Sequence, residues 1–135
     1  MTWERPVLAA AVLAAGGAGV VVVGSAGLRL HGRDVRVADL DVVPDPTDDG
    51  VRRLRQALDG LVPLDRWPGG RSLPPIIRTR TSFGPVDVLV ERGRAEYARL
   101  LARASTIELL GVGVTVASVA DIEALRRRFK EPTHA

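Results

Sequence analysis

The stretch from Val7 to Leu28 constrains the fold most, because its 22 residues carry no charge. That length is close to what a membrane-spanning helix requires, and Ser25-Ala26-Gly27 imitates an export cleavage site. The stretch is nevertheless rich in alanine and glycine, which transfer poorly into lipid, and Gly16-Gly17 interrupts it. Its second half is a valine run, which favours a strand. We therefore predict a buried helix and a buried strand, no membrane segment and a cytoplasmic location.

The length and the charge limit the possible architecture and partners. A chain of 135 residues is long enough for one domain and too short for two, so we expect a single domain over 1–135 with a disordered tail at 131–135. The 19 basic residues exceed the 16 acidic ones by three, and all but Lys130 are arginine. Arginine binds phosphate groups with two hydrogen bonds, which is compatible with a phosphate-bearing partner.

Two classes of site are excluded by composition. The sequence has no cysteine, so it has no disulfide and no cysteine-bound zinc. Its two histidines, His31 and His134, are too few for a histidine metal cluster. We expect His31, Trp67 and Phe83 to pack locally rather than to act on a ligand.

Hydrophobic periodicity and turn residues predict the element order α-β-α-β-α-β-β-α-β-β-α. The predicted helices are 7–15, 26–31, one that Thr47 caps, 95–104 and one that Ser118 caps, with Asp121 completing a capping box. The predicted strands are 20–23, 38–43, 76–81, 86–91, 107–110 and 114–116. This order implies one α/β or α+β domain with a central mixed sheet flanked by helices.

Three aspartates stand out on the predicted strands. Asp39 and Asp41 share one face of a strand, about 7 Å apart, and Asp87 lies between two valines of another strand. Three neighbouring carboxylates repel one another strongly unless cations are present. Mg²⁺, or Mn²⁺ in its place, is a hard ion that binds carboxylate and phosphate oxygens. Two such ions about 3.5–4 Å apart stabilise an in-line phosphoryl displacement, so we predict a catalytic metal site at these residues.

A phosphate site is predicted beside these acids. Gly24-Ser25 ends the valine strand and opens a helix, whose free amides suit a triphosphate. Arg36 in the next loop and Arg126 in the last helix are candidate cations for the same phosphates. We therefore predict nucleotide binding by Gly24, Ser25, Arg36 and Arg126.

Together these segments resemble the nucleotidyltransferase superfamily related to DNA polymerase beta. VVVGSAGLRLHG is similar to the glycine-serine motif and its helix, ADLDVVPD to the two-aspartate strand, and TSFGPVDVLV to the strand with the third carboxylate. The likeness covers roughly residues 7–128 and extends to small bacterial members, including those of toxin–antitoxin systems of the AbiE kind. It implies one polymerase-beta-like domain, with a central mixed sheet flanked by helices.

The resemblance also implies an activity. Members transfer a nucleoside monophosphate from a nucleoside triphosphate such as ATP to a hydroxyl group and release pyrophosphate. Here Asp39 and Asp41 would hold two Mg²⁺ or Mn²⁺ ions, and Asp87 would complete the site and assist deprotonation of the acceptor. RNA, particularly tRNA, or a partner protein would be the acceptor, and a toxin–antitoxin partner is implied.

The last helix departs from the family pattern. Arg126 stands where the family commonly has a lysine, and Lys130-Glu131-Pro132 replaces the usual ending. Arginine holds a phosphate but does not readily act as a base. The alternative is therefore a catalytically inactive NTP-binding or antitoxin-like regulatory module that acts through a protein partner. The intact set of three aspartates favours the enzyme.

Overall fold

The computed structural model describes residues 2–69 and 72–130, with side chains up to residue 127. The observed order of helices and strands is the predicted one. The helices are α1 (Arg5–Ala15), α2 (Gly24–Leu30), α3 (Asp48–Leu58), α4 (Gly93–Arg103) and α5 (Val119–Lys130). The strands are β1 (Val20–Val23), β2 (Leu40–Pro44), β3 (Ile77–Thr81), β4 (Gly84–Val88), β5 (Ser105–Leu109) and β6 (Val112–Val116). The predicted disorder at 131–135 lies outside the described residues.

The six strands form one mixed sheet in the order β3-β4-β2-β1-β6-β5. β1 pairs antiparallel with β2 and parallel with β6, and β2 pairs parallel with β4. The hairpins β3–β4 and β5–β6 form its two ends. The prediction of one α/β domain with a mixed sheet and flanking helices is confirmed, and the most apolar strands, β1 and β2, lie at the sheet centre.

The uncharged N-terminal stretch folds as a helix and then a strand, as predicted. Pro6 lies in the first turn of α1, and Gly17 ends that helix with a φ of 84°. Such a positive φ is costly for residues other than glycine. All four valines of β1 are buried. Among the described residues, no helix is long and apolar enough to cross a membrane.

Several predicted boundaries shift by a few residues. β2 begins at Leu40, so Asp39 lies immediately before the strand rather than within it. β4 runs from Gly84 to Val88 and gives way to a 3-10 turn at Val90–Arg92, where the prediction continued the strand. The β3–β4 ladder closes with Thr81 opposite Gly84, which leaves Ser82 and Phe83 as the turn.

Residues predicted to pack do so. The Nε2 atom of His31 lies 2.7 Å from the carbonyl oxygen of Ala117, so this nitrogen carries the hydrogen and donates it. Trp67 and Phe83 are partly buried against the hydrophobic core. The Thr47 hydroxyl caps α3 by accepting from the Gly50 amide at 3.0 Å. Ser118 likewise accepts from the Asp121 amide, but the Asp121 carboxylate binds two arginines of α4 rather than completing the predicted capping box.

Candidate metal and nucleotide site

Strand register brings the three predicted aspartates together. Asp41 is the second residue of β2 and lies directly opposite Asp87 of β4. Asp39 precedes Asp41 by two residues, so its side chain points to the same face. One carboxylate oxygen from each residue lies within 4.8 Å of the others. We call Asp39, Asp41 and Asp87 the acid cluster.

The surroundings of the acid cluster disfavour three simultaneous negative charges. Burial raises the pKa of Asp41 to about 7, and the charges of Asp39 and Asp87 and a hydrogen bond with Asp87 add to the effect. Burial and the charge of Asp87 also raise the pKa of Asp39. In both residues Arg78 lowers the pKa but does not cancel the increase. The acid cluster is therefore short of positive charge.

Among the described residues, Arg78 of β3 is the cation that contacts the acid cluster. It lies directly opposite Asp87 in the β3–β4 ladder. Its Nε donates to Oδ1 of Asp87 at 2.7 Å, its Nη2 donates to Oδ2 at 2.9 Å, and the same Nη2 reaches Oδ2 of Asp39 at 3.4 Å. The hydrogen bonds with Asp87 raise the pKa of Arg78, so the guanidinium is charged throughout.

Gly24 allows α2 to begin beside the acid cluster. Its φ of 65° lies in the left-handed region that favours glycine. A Cβ atom built at Gly24 would overlap Oδ2 of Asp41. The neighbouring residue, Val23, lies directly opposite Asp41 in the β1–β2 ladder, which fixes this close approach. Glycine is therefore required at this position by its conformation and by the space available.

A cavity of about 380 Å³ opens over the acid cluster. It is lined by Val23, Gly24, Ser25, Asp39, Asp41, Ile76, Asp87, Leu89, Leu125 and Arg126. Six of the seven predicted site residues therefore share one cavity. The seventh, Arg36, is exposed in the loop between α2 and β2 and does not line the cavity.

The acid cluster lies at one side of the cavity, and the basic Arg126 lines another part of it. α5 contributes Arg126 to the wall, and the buried Leu125 beside it anchors the helix. Leu89 follows β4, and Ile76 precedes β3. These apolar side chains leave the charged groups in a partly dehydrated space, where electrostatic interactions are stronger than in water.

Comparison with known proteins gives a fold match. No known family model matches the chain, and no curated protein sequence matches it. Among solved structures, the chain is similar to a protein from Thermotoga maritima described as a "putative nucleotidyltransferase", with a TM-score of 0.65 and 15% sequence identity. The match covers 90% of this chain and 80% of the other.

The chain therefore shares the fold of that protein. At 15% identity the match establishes the architecture, and the chemistry must be argued from the residues. Those residues fit a divalent metal ion. Oxygen donors are what Mg²⁺ and Mn²⁺ prefer, and the acid cluster supplies three carboxylates with too little positive charge nearby.

Sequence reasoning missed Arg78, although the hairpin contained a signal for it. The two strands were predicted, but their pairing was not worked out. With Ser82 and Phe83 as a two-residue turn, counting back along both strands places Arg78 opposite Asp87. The apolar wall at Ile76 and Leu89 was also missed, because no local pattern distinguishes a cavity wall from the core.

Proposed function

We propose that this protein is a Mg²⁺- or Mn²⁺-dependent nucleotidyltransferase that moves a nucleoside monophosphate from an NTP to a hydroxyl group. The observation that carries the proposal is the convergence of Asp39, Asp41 and Asp87 in one cavity with Gly24 and Ser25. A regulatory protein has no need for three clustered acids whose proximity raises the pKa of Asp39 and of Asp41.

In the proposed reaction the acid cluster has two tasks. Asp39 and Asp41 would hold the ions, which supply charge neutralisation on the triphosphate and the pyrophosphate leaving group. Asp87 would complete the site and accept the proton of the acceptor hydroxyl. The hydroxyl oxygen forms a bond to the α-phosphorus, the bond to the bridging oxygen breaks, and pyrophosphate departs.

Phosphate binding is assigned to the opposite side of the cavity. Ser25 has a hydroxyl group and lines the cavity beside Gly24, on the side where α2 begins. Arg126 lines the same cavity on α5. Positioning and charge neutralisation account for most of the catalysis of phosphoryl transfer. The acid cluster with its ions, together with Ser25 and Arg126, would supply both.

For the acceptor we propose RNA, with tRNA as the first candidate and a hydroxyl of a partner protein as the second. Arg126 lines the cavity in the C-terminal half of α5, and its neighbour Arg127 is exposed on the same helix, so both could meet an approaching RNA phosphate. Arg36, exposed before β2, is proposed to contribute to the same binding. The sequence resemblance supports a role in a toxin–antitoxin pair with a small partner protein.

The test is transfer of label from each α-labelled NTP, with Mg²⁺ or Mn²⁺, into total RNA and into cell lysate. Asp39→Asn and Asp41→Asn are compared with Asp34→Asn, an exposed aspartate outside the cavity. We expect label in a discrete RNA or protein band with the wild type and with Asp34→Asn, and none with the other two variants.

Two negative results have different meanings. If the wild type binds NTP and metal but transfers no label, the protein is a regulatory module rather than an enzyme. Failure of the wild type to bind either NTP or metal would overturn the assignment of the site.

A further inference from the structure

We propose that Arg78 is a built-in counter-cation of the acid cluster, which holds Asp39 and Asp87 until a metal-bound NTP arrives and then binds the triphosphate instead. This role rests on the proposed function, because it assumes that the acid cluster binds metal and that the cavity binds NTP. It assigns a function to a residue that no sequence motif identified.

Arg78 binds the acid cluster through three contacts. The two hydrogen bonds between Arg78 and Asp87, at 2.7 and 2.9 Å, use both oxygens of the carboxylate. A third contact, at 3.4 Å, reaches Asp39. The guanidinium thus bridges acids contributed by two different strand segments. A divalent ion in the acid cluster would need oxygens of the same carboxylates, so the guanidinium and the ion compete.

The Arg78 and Asp87 side chains differ in their freedom to move. The Arg78 side chain is 63% exposed, whereas that of Asp87 is 12% exposed. Arg78 also lies on an edge strand, so its side chain can turn away without unpacking the core. Asp87 lies between the buried Val86 and Val88 and cannot follow. Separation of the pair therefore requires only rotation of the arginine side chain.

Arg80, two residues along the same strand, makes a similar contact away from the acid cluster. Arg80 also makes a two-pronged contact, with Asp65 at distances of 2.7 to 3.2 Å. Its side chain is as exposed as that of Arg78, at 68%. Asp65 does not belong to the acid cluster and does not line the cavity. The two arginines share strand, face and contact type, so Arg80 is a matched control.

Displacement of Arg78 leaves an unpaired guanidinium at the rim of the acid cluster. Guanidinium groups bind phosphate oxygens with paired hydrogen bonds, and a triphosphate would bring such oxygens to the cavity. A metal ion that binds alone would break the hydrogen bonds of Arg78 and leave the guanidinium without a new partner. A metal ion that binds with NTP would also bring phosphate oxygens, to which the guanidinium can donate instead. Metal and nucleotide binding should therefore be strongly coupled, each favouring the other.

The experiment measures free Mn²⁺ by electron paramagnetic resonance at constant pH, with and without a non-hydrolysable α,β-methylene NTP. The proteins are the wild type, Arg78→Gln, Arg78→Lys, Arg80→Gln and Asp41→Asn. We expect Arg78→Gln to tighten binding of Mn²⁺ alone by about 10-fold and to weaken binding of the analogue by about 10-fold. Arg78→Lys keeps the charge and should stay near the wild type for Mn²⁺ alone, and Arg80→Gln should match the wild type throughout.

The outcomes separate the two proposals. Unchanged or weaker Mn²⁺ binding in Arg78→Gln, with a folded protein by circular dichroism, would overturn the role of Arg78. If Asp41→Asn abolishes Mn²⁺ binding in that same case, the metal site still stands. If Asp41→Asn binds Mn²⁺ as the wild type does, the metal site and the role of Arg78 both fail.

Discussion

Two of the groups in which acids contact arginines differ in their balance of charge. Between α4 and α5, Asp121 accepts from Arg99 at 3.1 Å and from Arg103 at 3.2 Å, and Arg99 also pairs with Glu96. Among the described residues, these contacts join two acids to two arginines. Over the same described part of the chain, the acid cluster groups three acids with one contacting arginine. The first set of contacts joins two helices, whereas the acid cluster holds an excess of negative charge that a cation would offset.

The sharpest test of this comparison is to neutralise one acid in each group. Asp41→Asn should lower nucleotide transfer by at least about 1000-fold, because it removes a ligand of both ions. Asp121→Asn should leave transfer and metal binding unchanged, but lower the free energy of unfolding by about 2 kcal/mol, because it weakens the hydrogen bonds that the buried Asp121 accepts from two partly exposed arginines. Transfer assays and urea unfolding check the two results. Loss of transfer in a folded Asp121→Asn variant would contradict the assignment of a structural role to Asp121 and a catalytic role to the acid cluster.

The second prediction concerns the space that the acid cluster needs. Gly24→Ala should lower transfer by about 100-fold, because the added Cβ displaces the Asp41 carboxylate and strains the backbone. Gly17→Ala is the control, since Gly17 also has a positive φ, of 84°, but has nothing within 4 Å of the added Cβ. Both should lose about 1 kcal/mol of stability, and only the first should lose activity. Equal activities would show that the close approach has no functional role.

The third prediction uses the raised pKa of Asp41. Between about pH 4 and pH 7 the metal-free folded protein holds a proton that the unfolded chain has released, since the pKa of Asp41 rises from 3.8 to about 7. Stability should therefore fall as pH rises through this window and level off above it. Asp41→Asn should remove this fall and be more stable than the wild type at pH 8 by about 2 kcal/mol, since the buried amide retains part of the desolvation cost.

Thermal unfolding across this pH range, with a chelator present, provides the measurement. Saturating Mn²⁺ should reverse the slope for the wild type, because the ion binds the deprotonated carboxylate. A wild type whose stability in chelator does not change between pH 4 and pH 7 would contradict the charge imbalance.

The smallest expected effect concerns the cation on the cavity wall. Arg126→Gln should raise the KM for NTP by about 10-fold, because one charged contact to phosphate is lost. Arg127→Gln, its exposed neighbour outside the cavity lining, should change the KM by less than about 2-fold. The KM values of the two variants are compared by steady-state kinetics at saturating acceptor. The same KM for both variants would remove Arg126 from the phosphate site.

Sequence patterns predicted the element order because each segment had a strong local signal. The valine run of β1, the alternation around Asp41 and the glycine pairs that end helices all act over a few residues. The members of the acid cluster could also be identified from the sequence, because alternate residues of a strand point to the same face and Asp39 and Asp41 are two apart. The parallel pairing of β2 with β4 brings Asp87 beside them in the structure. The register of the β3–β4 hairpin, which places Arg78 opposite Asp87, follows from its two-residue turn but was not worked out from the sequence.

Other features depend on contacts between distant segments. The sequence pattern identified Asp121 as a capping residue because Ser118 stands three residues before it, yet its carboxylate is bound by Arg99 and Arg103 of another helix. The sequence made Arg36 and Arg126 equally good candidates for phosphate binding. The packing of α5 places Arg126 in the cavity wall, whereas Arg36 does not line the cavity. Local patterns locate the acids, whereas tertiary packing decides which arginines meet them.

The most direct test of the central claim is diffraction from crystals of the protein grown with Mn²⁺ and an α,β-methylene NTP, collected at the manganese absorption edge. The account predicts anomalous peaks bound by Asp39, Asp41 and Asp87, with the triphosphate beside Gly24 and Ser25 and the Arg78 guanidinium turned to a phosphate oxygen. A triphosphate bound elsewhere, or an acid cluster without manganese and still closed by Arg78, would contradict it.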